Sequence, residues 1–409
     1  RCGEDGLGLG DLPAGTIEAW AWAARTWAPR HEANVRVLGL VSFLTDASSE
    51  MLYPIVPLYL TEILLAPMGA VGLIEGVAEA TANLLKGVSG RLADRSPKRM
   101  PFVFAGYGLA AVAKPLLALV TTWPGVLAAR VVDRTGKGLR GPARDAVIVE
   151  STPPGSRGAA FGWHRSMDTF GAVLGPLVGL GLLRWSGLEY RQLFWVAAIP
   201  AALGVLCLFA IREPEAPRTD AERPPAPDDV ALPMRRFLLV IALFSVGNSS
   251  NAFLLLRTRD LGWSATGVIL LYVSFNLAYA FVAAPAGRLS DRYGRRKVLA
   301  AGLVVSTLVY AGFALADSRL WAAVLLPLYG AYAGAFGGAG RAFVADLAPP
   351  DRVAGALGTY QMVTGFGVLV ASIAAGMLWT AYGPAAPFVL GAATSALAAV
   401  ALIGVPEPT

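Results

Sequence analysis

Apolar stretches of about 20 residues recur along this chain between short polar turns, each long enough to cross ~30 Å of hydrocarbon as a helix. The pattern predicts twelve spans. Six lie at 36–61, 68–89, 101–121, 124–145, 158–183 and 190–211. Six more lie at 236–257, 265–286, 297–316, 319–342, 354–380 and 384–405. Lipid offers no partners to bare backbone groups, so the expected fold is an all-α membrane protein. Residues 212–235, rich in Pro, Asp, Glu and Arg, lack apolar periodicity and read as a solvated linker. The expected organisation is a leader over 1–34, a six-helix bundle over 35–211, the linker, and a second six-helix bundle over 236–409. In the leader, Ile17 to Trp27 carries three tryptophans. That segment is expected either to lie flat on the membrane surface or to be disordered.

The two bundles are predicted to be pseudo-symmetric, because segments recur. Gly90-Arg91-Leu92-Ala93-Asp94-Arg95 closes span 2, and Gly287-Arg288-Leu289-Ser290-Asp291-Arg292 closes span 8, 197 residues later. Phe43 to Glu50 resembles Phe244 to Asn251. Gly158 to Gly162 finds an echo in Ala354 to Gly358.

Composition supports the membrane assignment. Hydrophobic residues make up 55% of the chain and charged residues 15%, which an ordinary soluble domain does not show. The net charge of +6 is not a nucleic-acid footprint, since the basic residues gather in alternate loops. Arg95, Lys98 and Arg99, then Arg212 to Arg236, then Arg288 to Lys297 are rich. Loops offering Arg184, Arg191, Arg257, Arg259 and Arg319 are poor. The positive-inside rule places the rich loops and both termini in the cytoplasm. Cys2 and Cys207 supply neither a disulfide framework nor a metal site.

The turn after span 2 is similar to the G-x-x-x-D-R-x-G-R-K/R signature of the major facilitator superfamily, with a second copy after span 8. The chain is identified as resembling a twelve-helix member of that superfamily, over residues 36–405. Pro97 stands where the family usually has Gly. The resemblance implies a transporter, expected as a monomer, whose halves rock around a central site lined by helices 1, 4, 7 and 10. Gly90, Asp94, Arg95, Gly287, Asp291 and Arg292 are then candidates for a conformational latch. The glycines would permit close helix approach, and the aspartates would hold a partner in one state.

The chemistry lies in the first half. Asp46 and Glu50 stand four apart on span 1, and Glu75, Glu79 and Lys86 share a face of span 2. Arg130, Asp133, Arg134, Lys137 and Arg144 form one stripe on span 4; His164, Arg165 and Asp168 stand on span 5. Each charge at mid-membrane costs about 2.5–3.5 kcal/mol on insertion scales, so the stripe must face protein or water. The repeat partners Tyr272, Asn276 and Ala283 are neutral. Three roles compete: a structural salt network, a proton-coupling network whose acids load and release protons, or direct binding of an anionic substrate by Arg130, Arg134 and Lys137. Asp46, Glu50, Glu75 and Glu79 are the leading coupling residues, with Arg130 or Arg134 as the modulating cation. Asp133 and Lys137 belong to the same site. From the second half, Asn248, Asn251, Arg257 and Tyr332 are candidate contributors, and Ser249-Ser250 reads equally as helix–helix contact.

Gly171, Gly175, Pro176 and Gly179 on span 5 resemble the G-x-x-x-G-P-x-x-G pattern of exporting antiporters in that superfamily. Pro54-Ile55-Val56-Pro57 resembles the span 1 ending of its drug:proton antiporters. The expected function is therefore a proton-coupled antiporter exporting a small molecule from a bacterial-type plasma membrane. The alternatives are a symporter or exchanger for an anionic carboxylate or phosphate solute, and a non-transporting membrane sensor. No P-loop, nucleophile elbow, metal cluster or cofactor fingerprint marks an enzyme. Energy is expected from protons or another coupling ion.

Overall fold

The computed structural model describes residues 33–96, 98–153, 157–213, 232–348 and 353–406. The leader up to residue 32 and most of the linker lie outside the described residues, as do the side chains of Asp94 and Arg95. In the first half the helices are α1a (Ala33–Leu52), α1b (Ile55–Leu58), α2 (Met68–Arg95), α3 (Met100–Leu119), α4 (Trp123–Glu150), α5 (Arg157–Trp185) and α6 (Tyr190–Cys207). The second half holds α7a (Leu232–Gly247), α7b (Ala252–Asp260), α8 (Ala265–Tyr293), α9 (Arg295–Leu315), α10 (Arg319–Leu347), α11 (Val353–Tyr382) and α12 (Ala386–Ile403).

Packing repeats with a step of six helices. In the first half α1 packs on α5 and α6, α4 on α2 and α3, and α3 on α6. In the second, α7 packs on α11 and α12, α10 on α8 and α9, and α9 on α12. The halves meet through α2 against α11 and α5 against α8. These are two pseudo-symmetric six-helix bundles.

Among the described residues nine helices are long and apolar enough to cross a membrane. The three that fall short are α1, α2 and α4, which carry Asp46 and Glu50, Glu75 and Glu79, and the stripe from Arg130 to Arg144. Burial shows the same asymmetry. The second half has one continuous apolar core, running from Met234 through Phe275 and Tyr329 to Val405. The first half has two, one around Leu38, Tyr107 and Ile148 near the basic turns. The other surrounds Tyr59, Val126 and Phe194 at the opposite end. Between them lies a layer of charge.

Both α1 and α7 are broken, for different reasons. Pro54 and Pro57 remove backbone donors after Leu52, and a π-turn over Tyr59–Ile63 follows. Span 7, read from the sequence as one helix, is interrupted at Asn248 to Asn251. There the Ser250 N–H donates to Ser372 Oγ at 3.1 Å, and the Ala252 N–H to Ser250 Oγ at 3.3 Å. Hydroxyls replace helical carbonyls as acceptors, so the chain can leave the helix without orphaning its amides.

The closest interhelical approaches are made by glycine. On α5, a methyl at Gly175 would come 2.4 Å from the Ala47 carbonyl, and one at Gly171 would come 2.7 Å from that of Phe43. At the end away from the basic turns, a methyl at Gly72 would lie 2.1 Å from the Ser372 carbonyl, and one at Gly376 would lie 2.4 Å from that of Met68. Those contacts press the two halves together backbone to backbone.

Candidate functional site

The charge layer is built from four helices of the first half, and most acids in it have a cation. Arg130 donates from one guanidinium nitrogen to both carboxylate oxygens of Glu75, at 2.8 and 2.9 Å. Arg134 reaches Glu79 at 3.0 Å and Asp133 at 3.6 Å. Lys114 on α3 donates to Asp133 at 2.6 Å and to Ser49 at 3.1 Å. Glu75 is 1% exposed, Lys114 2% and Arg134 5%. Removing such charges from water costs several kcal/mol each, which only close partners offset.

The two acids of α1 are held differently. Asp46 has Arg140 at 3.9 Å, beyond hydrogen-bond reach. Glu50 has no cation within 4.0 Å among the described residues; its carboxylate accepts from Tyr272 Oη at 2.6 Å. Tyr272 belongs to α8, so that bond crosses between the halves. The ring of Tyr272 stacks on Tyr53, in the turn between α1a and α1b, at 5.2 Å, making a second crossing beside the first. A third joins Ser250, at the break in α7, to Glu75 at 3.2 Å.

These side chains enclose a cavity lined by Asp46, Ser49, Glu50, Arg130, Asp133 and Lys137, among others, all from the first half. Lys137 is exposed and has no carboxylate within 4.0 Å among the described residues. On α5, Asp168 accepts from Ser42 and lies 3.8 Å from Arg165. Arg165 in turn donates to Tyr279 Oη on α8 at 2.6 Å, again across the halves. Lys86 donates to Asn83 at 3.1 Å, and Arg144 pairs with Asp145 at 2.8 Å.

The structure thus brings together Asp46, Glu50, Glu75, Glu79, Arg130, Asp133, Arg134 and Lys137. Second-half candidates are more dispersed. Asn248 accepts from Tyr310 at 3.0 Å and Tyr329 at 3.2 Å, within its own bundle. Asn251 heads α7b. Tyr332 packs between Tyr329 and Phe336 in the second-half core. Arg257 points away from the cavity, pairing with Asp260 and donating to the carbonyls of Phe313 and Ala316 at the end of α9. Lys114 and Arg140 were missed in the sequence. The signal for Lys114 was a single lysine inside an otherwise apolar span.

At the signature turns, a methyl on Gly90 would rest in ordinary contact with Pro142 of α4, 3.5 Å away, and one on Gly287 would meet nothing within 4 Å among the described residues. α2 therefore meets α4 at Gly90, whereas Gly287 has no such neighbour among the described residues. Asp291 pairs with Arg295, which also reaches Asp346 of α10 at 3.0 Å, tying α8, α9 and α10 together. Arg292 lies over the Tyr293 ring at 5.4 Å. At the other end, Glu62 of the π-turn pairs with Arg259 of α7b at 2.6 Å, where α1b and α7b pack together.

Comparison with known proteins gives these features a family context. The profile described as Major Facilitator Superfamily matches residues 38–256 and 237–409. An uncharacterized MFS-type transporter of Methanocaldococcus jannaschii is 33% identical over 377 residues, covering 90% of this chain and 94% of that one. Multidrug resistance protein MdtG of Klebsiella pneumoniae is 27% identical over 317 residues, covering 74% and 76%. Among solved structures, nucleoside transporter NupG superposes with a TM-score of 0.74 at 16% identity, covering 91% of this chain and 99% of that one. A D-xylose–proton symporter gives 0.74 at 16% identity, covering 92% and 98%. At such identities the structural likeness concerns the fold alone.

Proposed function

Since this chain belongs to the Major Facilitator Superfamily, we propose that it is a proton-coupled antiporter that exports a small organic molecule by alternating access. One observation carries the reading. Glu75, Glu79 and Asp133 each have a close cation, whereas Asp46 and Glu50 do not. Protons therefore bind on α1, at the cavity wall. A hydrogen bond to a charged acceptor is worth about 1.5–3 kcal/mol and a neutral one about 1 kcal/mol. Protonating Glu50 weakens its tie to Tyr272 by that difference, so proton binding loosens one bundle from the other. The substrate competes with the proton for the same wall, which is what antiport requires.

Direction rests on α5, whose glycines seat its backbone against α1 beside both acids, and on the likeness to the protein named for multidrug resistance. In this reading the basic turns and both termini face the cytoplasm of a bacterial-type plasma membrane, the chain acts as a monomer, and residues 212–235 link its bundles. The test uses everted vesicles with an acidified lumen reported by a pH-sensitive dye, challenged with a panel of toxic organic compounds. Antiport predicts that some compounds collapse the proton gradient in vesicles carrying the chain, and that Glu50→Gln abolishes this.

A second reading is favoured by Lys137, an exposed cavity cation with no acid partner among the described residues. It would hold a carboxylate or phosphate. Proton and anion would then bind cooperatively and move together as a symporter. Inward anion flux that follows an inward proton gradient in proteoliposomes selects this reading.

A further inference from the structure

Three acids and three cations form a closed group in the first half: Glu75 with Arg130, Glu79 with Arg134, and Asp133 with Lys114. Arg134 is shared, lying 3.0 Å from Glu79 and 3.6 Å from Asp133. Lys114 settles the partition, because its 2.6 Å contact neutralises Asp133 and leaves Arg134 to Glu79. From α1, Ser49 faces its ammonium directly, and Asp46 and Glu50 share its cavity; from α4, Arg130, Asp133, Arg134, Lys137 and Arg140 do, Lys137 being exposed and Arg140 lying nearest Asp46. We infer that Lys114 is a positioning residue that confines proton binding to Asp46 and Glu50, by cancelling the one α4 acid that would otherwise compete. This rests on the proton-coupling reading above.

Without Lys114, Arg134 must serve two acids, and a proton supplies the missing positive charge. The buried network then takes up that proton at higher pH than α1 does. Asp133→Asn in the same chain removes the demand, so the pair of substitutions restores the balance.

The test needs no substrate. Spin labels replace Trp185 and Leu320, exposed residues at α5 and α10 ends of opposite bundles, in a full-length background lacking Cys2 and Cys207. Their separation is followed against pH in nanodiscs. Lys114→Met is expected to raise the midpoint of the conformational change by at least one pH unit. Lys114→Arg keeps the original midpoint, and Lys114→Met with Asp133→Asn returns to it. An unchanged midpoint in Lys114→Met, or no return in the double variant, overturns the inference. If Lys114→Met does not accumulate, Asp133→Asn alone must lower the midpoint, and failure to do so overturns it equally. If the unmodified chain shows no pH response, the coupling reading fails. Lys114→Met must even then introduce a transition that Asp133→Asn removes, and its absence refutes the role of Lys114.

Discussion

The phenol of Tyr272 on α8 donates to the carboxylate of Glu50 on α1 at 2.6 Å, joining the two bundles at the wall of the cavity. Among the described residues, this bond is the one place where a cavity acid without a close cation touches the opposite half. Glu50→Gln is expected to reduce proton-linked flux at least tenfold while leaving the protein folded, since glutamine still accepts from Tyr272. Tyr272→Phe keeps the ring stack on Tyr53 and removes the donor. It is expected to shift the balance of conformations about fivefold, the equivalent of ~1 kcal/mol. Gradient-collapse rates and spin-label distances read the two effects separately.

Arg130 and Glu75 are both nearly inaccessible, at 6% and 1% exposure. Arg130→Ala strands a buried carboxylate, which costs about 3–5 kcal/mol. Thermal unfolding in detergent is expected to show a large loss for the single variant and recovery for Arg130→Met combined with Glu75→Gln. Equal losses in both would contradict the pairing.

Gly175 lies against the Ala47 carbonyl with no room for a side chain. Gly175→Ala must separate α5 from α1, an overpacking cost of about 1–3 kcal/mol. Melting temperature falls, and because α1 carries Asp46 and Glu50, transport falls with it. Gly287→Ala, where a methyl meets nothing within 4 Å among the described residues, is expected to leave the melting temperature unchanged.

Glu62 and Arg259 close the end opposite the basic turns. Both are partly exposed, so the pair contributes no more than ~1 kcal/mol. Glu62→Arg is expected to favour opening at that end, and adding Arg259→Glu to restore closure. Thiol accessibility measured from that side checks the exchange.

Much of the fold was legible in the sequence, because apolar runs and a repeated turn survive as linear patterns. The fourth span was the hardest: its stripe of charge defeats hydropathy, and what supports it is its apolar repeat partner, Trp321 to Phe343, together with the topology of two six-helix halves. In the structure α1, α2 and α4 fall short as membrane spans for that same reason. Spacing on single helices grouped Asp46 with Glu50, and Arg130 with Asp133 and Arg134. It could not reveal Lys114, whose partners Asp133 and Ser49 stand on two other helices. Nor could it reveal the break in α7, which depends on Ser372, more than a hundred residues away. Arg257 was a candidate contributor from its place on span 7. In the structure its charge is met by Asp260 and by the Phe313 and Ala316 carbonyls instead.

The central claim is that the charge layer lines a water-filled crevice opening alternately to each side. Ser49 lines the cavity, where its hydroxyl accepts from Lys114 at 3.1 Å. The direct measurement is labelling of Ser49→Cys by a membrane-impermeant thiol reagent, in a background lacking Cys2 and Cys207, applied from each side across a range of pH. Labelling from the side of the basic turns at one pH, and increasingly from the opposite side as the pH is changed, is the result predicted. A cysteine that reacts from neither side at any pH would contradict it.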